Sequence, residues 1–206
     1  MTHRITFVSP AMSSALRQAR FDDGGSLDAG GEAQARAAAG SLPSAARVVA
    51  SPSVRCRETA AALGLDAVET AELAGLDAGR WRGRTLAEVA AAEPEAVARW
   101  LADPASAPHG GESVADFCAR VARWLESSAE TDTGTGTVTA TDGRTLAVVE
   151  PDVVRAAVAH VLGAPAAAFW RIDVPPLTST TVSGRGGRWN LRLGQPLDAA
   201  GAGADR

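Results

Sequence analysis

Lysine and tyrosine are absent from this 206-residue chain, and all 20 of its Lys/Arg positions are arginine. Beside so much alanine, that absence reads as the coding bias of a GC-rich genome and points to no function. Cysteine is nearly absent as well. Cys56 and Cys118 cannot make a disulfide framework or a cluster of metal-binding thiolates, so neither a metal nor a cofactor is expected. No apolar run reaches the roughly 18 residues that a membrane span needs. Met1 to Val8 lacks the charged, apolar and cleavage segments of a signal peptide, so the expectation is a cytoplasmic protein with no membrane partner. An excess of positive charge is missing too. The formal net charge of −4 argues against a general nucleic-acid binder. The short run Arg80, Arg82, Arg84 reads as a solvated loop rather than a basic patch.

What is present is a globular composition, 46% hydrophobic and 21% charged. The length suits one α/β domain, expected over residues 1–197 with a disordered tail over 198–206. Arg4 to Val8, Arg47 to Ala50 and Thr145 to Val149 read as short buried strands. Asp28 is placed to cap a helix over about 31–39. Ser51-Pro52 opens another to about Leu63, with proline at its first position. Thr85 caps a helix over about 86–91, and Pro94 precedes one over 95–101. Gly110 opens a longer helix to about Ser127, and Pro151 starts one to about Leu162. Residues 9–30 read as a long loop, and 130–144 as a mobile Thr/Gly surface loop. Thr178 to Ser183 and Arg188 to Leu193 flank a Gly-Arg-Gly-Gly turn as a hairpin. Alternating strands and helices predict a three-layer α/β/α sandwich with a mostly parallel central sheet. Ligands in such sheets sit beyond the carboxyl ends of the central strands, which directs attention to the residues after Val8, Ala50 and Val149.

At those junctions the chain resembles the histidine phosphatase, or phosphoglycerate mutase-like, superfamily. Ser51-Pro52-Ser53-Val54-Arg55-Cys56-Arg57-Glu58-Thr59-Ala60 fits that family's Ser-Pro-x-x-Arg-x-x-x-Thr-Ala segment. Leu73 through Gly83, with Gly79 and Trp81, resembles the stretch that carries the family's acidic proton donor. Gly110-Gly111-Glu112-Ser113 is intact. Val149-Glu150-Pro151-Asp152-Val153-Val154-Arg155 lies where the family has Thr-His-x-x-Val-Ile-Arg. Arg20-Phe21 and the Leu27 to Ala35 stretch are smaller matches, and the likeness spans about residues 3–194 in order. It implies a phosphoglycerate mutase-like fold and, in some relatives, a homodimer.

The departures bear on chemistry. Where the family places Arg-His-Gly, this chain has Ser9-Pro10-Ala11. Proline takes no phosphoryl group and has no N–H to offer an anion. The acid position is Gly75, and the second histidine position is Glu150. The resemblance therefore implies a degenerate member that has lost both catalytic histidines, with Arg55 the one charged pocket residue clearly kept. The remaining histidines do not replace them: His3 precedes the first strand, His109 lies before Gly110, and His160 sits inside a helix. Two unit charges 4 Å apart interact by about 4 kcal/mol at an effective dielectric near 20, so exchanging an imidazole for a carboxylate opposes phosphate binding. Arg55 and Glu150 are expected to pair.

Three functions follow as expectations. The first is a binding or regulatory protein whose ligand-contacting residues are Arg55, Ser9, Asp152, Trp81, Arg20, Glu112 and Ser113, for an unidentified small molecule or protein partner. The second is a repurposed enzyme with Glu150 as general acid or base, Ser9 as donor and Arg55 as anchor for a substrate carboxylate or enolate. Its cleft, expected to include Pro10, Ala11, Met12 and Trp81, would suit cyclisation, isomerisation or elimination on a hydrophobic or carboxylate-bearing molecule. The third is residual phosphatase or mutase activity with a displaced nucleophile, such as His109.

Overall fold

Strand β1 (His3–Val8) sends Ile5 and Phe7 into one apolar core and Val8 into another, so it is buried from both sides. Strands β2 (Arg47–Ala50) and β4 (Arg144–Val148) behave alike, with Val49 and Ala147 on the first side and Ala50 and Val148 on the second. Only a sheet covered on both faces accommodates strands of that kind. The computed structural model describes residues 2–130, 143–185 and 187–197. It contains one six-stranded sheet in the order β3-β2-β4-β1-β5-β6. Strand β3 is Val68–Glu69, and β5 (Thr178–Arg185) and β6 (Arg188–Pro196) form the hairpin expected from their alternation. The pairs β2·β3, β2·β4 and β1·β4 are parallel, while β1·β5 and β5·β6 are antiparallel.

Helices α6 (Val114–Glu130) and α7 (Pro151–Val161) cover the first face, and a 3-10 turn after α7, at Ala166–Arg171, packs with them through Phe169. Helix α2 (Ala29–Ala37) and helix α3 (Val54–Ala62) belong to the second face, where Cys56, Ala60 and Leu63 meet Val8, Ala50 and Val148. The α/β sandwich with a mostly parallel sheet is thus the architecture observed. A smaller cluster of Ala78, Trp81, Val89, Val97 and Trp100 unites α4 (Leu86–Ala92), α5 (Pro94–Ala102) and a 3-10 turn at Gly79–Trp81.

Several boundaries differ from expectation for local reasons. Helix α3 begins at Val54 rather than at Pro52, because the Ser53 hydroxyl accepts the N–H of Cys56 and makes Ser53, not Ser51, the last residue outside the helix. Helix α6 begins at Val114, with the Ser113 hydroxyl accepting from the N–H of Asp116. The 9–30 stretch contains a four-residue helix, α1 (Ser14–Arg17), capped by Ser13. Asp28 and Thr85 cap their helices as expected, the latter with a full capping box to Glu88. The Thr/Gly stretch over 131–142 and the tail over 198–206 lie outside the described residues. Among the described residues no helix is long and apolar enough to cross a membrane.

Candidate functional site

Parallel pairing aligns Val8, Val148 and Ala50 at one end of the sheet, so the chain segments leaving β4 and β2 emerge side by side. Beyond them lies a cavity of about 550 Å³. Its polar wall comes from Ser51, Ser53 and Arg55 after β2 and from Glu150 and Asp152 after β4. Its other wall is apolar and aromatic, with Leu16, Phe21, Trp100, Phe169, Trp170 and Val174.

At the polar wall, Arg55 and Glu150 make one tight unit. The Arg55 guanidinium donates from Nε to both carboxylate oxygens, at 2.8 and 2.9 Å, and from Nη2 to Oε2 at 2.6 Å. The Ser53 hydroxyl adds a 2.6 Å bond to Oε1. Both partners are buried, Arg55 8% and Glu150 3% exposed, so little water competes for either charge. Burial alone would lower the Arg55 pKa; the hydrogen bonds and charge of Glu150 outweigh it and hold the guanidinium above its ordinary value.

Asp152 stands in the first turn of α7 and accepts N–H groups from Leu76, at 2.7 Å, and Val153, at 3.0 Å. Burial, and then the negative charge of Glu150, push its carboxyl up to about 6. Gly75 lies against this pair. A Cβ there would come within 3.1 Å of the Glu150 Cγ and 3.4 Å of the Asp152 Oδ2, so the two carboxylate side chains fill the space that a side chain at 75 would need.

Other expected site residues lie elsewhere. Ser9 is fully buried and its hydroxyl is turned away from the cavity wall, donating to the carbonyl of Pro175 at 2.6 Å and accepting from the N–H of Thr178 at 3.0 Å. Pro10, Ala11 and Met12 are also not among the cavity-lining residues. The Ala11 N–H is bound to the Thr59 hydroxyl. Trp81 is fully buried one layer behind the wall, against Phe21, Trp100 and His109. Glu112 is bound by Arg120 at 2.7 Å, and the Ser113 hydroxyl, which caps α6, donates to Asp116 at 2.7 Å. The Gly-Gly-Glu-Ser segment serves packing: a Cβ on Gly111 would meet the carbonyl of Asp77 at 2.1 Å. Arg20 does line the cavity, fastened to the carbonyl of Gly83 and to Gln18.

No histidine lines the cavity among the described residues. His109 is 1% exposed, accepts the N–H of Gly111 on Nδ1, and packs edge-on to Trp81 and Trp100. Burial lowers its pKa, so it is held neutral. His160 pairs with Glu126 at 2.8 Å, and His3 lies in β1. Among the described residues no group of three or more His, Cys, Asp or Glu side chains is placed to hold a metal ion.

Reading the sequence missed Asp22, Arg82, Trp100, Arg155, Phe169 and Trp170 as cavity residues. The one available signal was Arg155, which ends the Val153-Val154-Arg155 match. Counting side chains, Arg20, Arg55, Arg82 and Arg155 face Asp22, Asp77, Glu150 and Asp152, so the lining is close to electrically neutral. Four buried polar atoms find no hydrogen-bond partner among the described residues: Ser51 Oγ, Trp100 Nε1, His109 Nε2 and Trp170 Nε1. An unmet buried donor costs about 1–3 kcal/mol, and three of these four side chains belong to the cavity wall.

Against known proteins, residues 15–195 match the sequence model of the histidine phosphatase superfamily (branch 1). The bifunctional protein Rv2228c of Mycobacterium tuberculosis is 38% identical over 129 residues, 58% of this chain and 35% of that protein. The chain therefore spans about a third of the length of the curated relatives it matches. Among solved structures, mycobacterial hydrolase 1 is 26% identical with a TM-score of 0.80, covering 94% of this chain and 98% of that one. The mycobacterial glucosyl-3-phosphoglycerate phosphatase Rv2419c is 26% identical with a TM-score of 0.78 over the same shares.

Proposed function

The chain belongs to the histidine phosphatase superfamily (branch 1), and from that premise we propose that it does not carry out phosphohistidine-based transfer but binds a small molecule without a phosphate group in its remodelled cavity. The observation that carries this reading is the Arg55–Glu150 unit. A phosphate-binding arginine must offer its donors to the ligand. Here Nε and Nη2 are taken by a buried carboxylate, and the neighbouring Asp152 adds further negative character. Supporting it, Ser9-Pro10-Ala11 precedes the matched region and no histidine lines the cavity among the described residues. The structural likeness to a glucosyl-3-phosphoglycerate phosphatase would favour a phosphorylated sugar acid instead. Hydrolysis of an aryl phosphate decides between them: the purified protein is expected to match an Arg55→Ala control, and turnover well above that control would end the proposal.

A second reading, acid–base chemistry on the bound molecule, is favoured by one observation. Asp152 lines the cavity with a carboxyl raised to about 6, in the range useful for proton transfer near neutral pH. Glu150, the residue first suggested for that role, is held by the cationic Arg55 and by Ser53, whereas Asp152 accepts only backbone N–H groups. In this reading the proton carrier is Asp152. Solvent deuterium entering the methylene of phenylpyruvate faster than in buffer, and no longer doing so with Asp152→Asn, is the expected result; exchange at the buffer rate leaves binding alone.

A further inference from the structure

The cavity's aromatic side and one of its arginines, Arg155, are adjacent. Trp100 and Trp170 have ring centroids 4.3 Å apart, Trp170 and Phe169 lie at 4.8 Å, and the Arg155 guanidinium is 5.8 Å from the Phe169 ring. All four residues line the same cavity. Arg155 uses its Nε on the carbonyl of Ile172, at 2.8 Å, and no carboxylate among the described residues is within ion-pair distance of it. Arg55 is taken by Glu150, Arg82 lies 3.7 Å from Asp22, and Arg20, likewise without a carboxylate partner among the described residues, spends its terminal nitrogens on the carbonyl of Gly83 and on Gln18. Among the described residues, the indole N–H groups of Trp100 and Trp170 and the Ser51 hydroxyl are buried without a hydrogen-bond partner.

Resting on the non-phosphate reading above, we infer that the cavity takes an aromatic monocarboxylate, with its ring against the partly exposed Trp170, which Trp100 and Phe169 back, and its carboxylate on Arg155. Flat faces of indole and phenyl groups favour a flat partner in offset or edge contact. A guanidinium with free terminal N–H groups matches a carboxylate in geometry as well as charge. A phosphate monoester would bring a second charge toward Asp77 and Asp152, which both line the cavity. The carboxylate anchor thus moves from Arg55, where the sequence suggested it, one helical turn along α7 from Glu150 and Asp152 to Arg155.

Calorimetric titration with naphthoate, naphthylmethanol and naphthyl phosphate tests the assignment. Naphthoate is expected to bind about tenfold or more tightly than the neutral alcohol, and more tightly than the phosphate ester. Arg155→Gln should bring naphthoate down to the alcohol's affinity while leaving the alcohol within about twofold, which also shows that the variant is folded. Trp170→Leu should weaken the carboxylate and the alcohol together. Equal binding of carboxylate and alcohol, tighter binding of the phosphate ester, indifference to Arg155→Gln, or no binding of any probe would each overturn it. Naphthol release is followed in the same solutions. Hydrolysis above the Arg55→Ala control would strike the underlying non-phosphatase reading, whereas failed naphthoate binding without hydrolysis strikes the aromatic-carboxylate assignment alone.

Discussion

At the residue scale the molecule is governed by what one carboxylate does to its neighbours. Glu150 neutralises Arg55 in a setting where each is nearly sealed from water. Removing either partner strands a buried charge, so Glu150→Gln or Arg55→Ala should each cost about 3–5 kcal/mol of stability in urea unfolding. The double replacement Arg55→Met/Glu150→Leu should cost less than either single change, because no lone charge remains. Asp152 makes an opposite contribution. Its carboxyl is raised from 3.8 to about 6, so between those values the folded chain holds a proton that the unfolded chain has released. Stability from this group therefore falls as pH rises through that window. Asp152→Asn removes the effect and should gain about 1–2 kcal/mol on the parent at pH 8, allowing for partial exposure, with the gap closing below about pH 4. Thermal melts at the two pH values measure it.

At the element scale, caps join secondary structure to the site. Ser53 both caps α3, through the N–H of Cys56, and donates to Glu150 at 2.6 Å. Thr85 caps α4 in an exposed capping box with Glu88 and reaches no cavity residue through it. Thr85→Ala should therefore cost about 1 kcal/mol, the ordinary worth of a cap, and Ser53→Ala about 1 kcal/mol more, since a buried carboxylate also loses a donor. Chemical denaturation of the two variants side by side gives the comparison. These elements were largely readable from the chain. The runs at Arg47–Ala50 and Arg4–Val8 are too short and too apolar for anything but buried strands, and Asp28 and Thr85 have the right chemistry at the right offset. Ser51-Pro52-Ser53 misled because proline at a first helical turn is a general preference, whereas a serine one residue later offers a specific bond. The 3-10 turns at Gly79–Trp81 and Ala166–Arg171 carry no periodicity long enough to detect.

At the scale of the whole molecule, the parallel ends of β2 and β4 place the cavity, and distant segments finish it. That division explains what the sequence could say about the site. Arg55 and Glu150 were legible because each belongs to a motif that follows a strand of recognisable type, Arg55 in the first turn of α3 and Glu150 just before α7. Ser9 follows a strand equally well, yet its hydroxyl is taken by Pro175 and Thr178, residues more than 160 positions away, and no local pattern announces that. Trp100 and Trp170 reach the cavity from α5 and from the turn after α7, and their meeting at 4.3 Å depends on how those segments pack. Ligand linkage offers a global check. Inorganic phosphate at about 10 mM should leave the melting temperature unchanged, while naphthoate at about 100 times its dissociation constant should stabilise the fold by about 2.7 kcal/mol. Differential scanning fluorimetry reads both.

The Arg55–Glu150 pair also constrains which sequences are neighbours of this one. A chain that exchanged Glu150 for an imidazole would leave Arg55 charged and unaccompanied in the interior, and one that carried an acid at position 75 would press it against Glu150 and Asp152. Positions 55, 75 and 150 are therefore tied to one another, and a change at any of them is expected to be tolerated best when a neighbour changes with it.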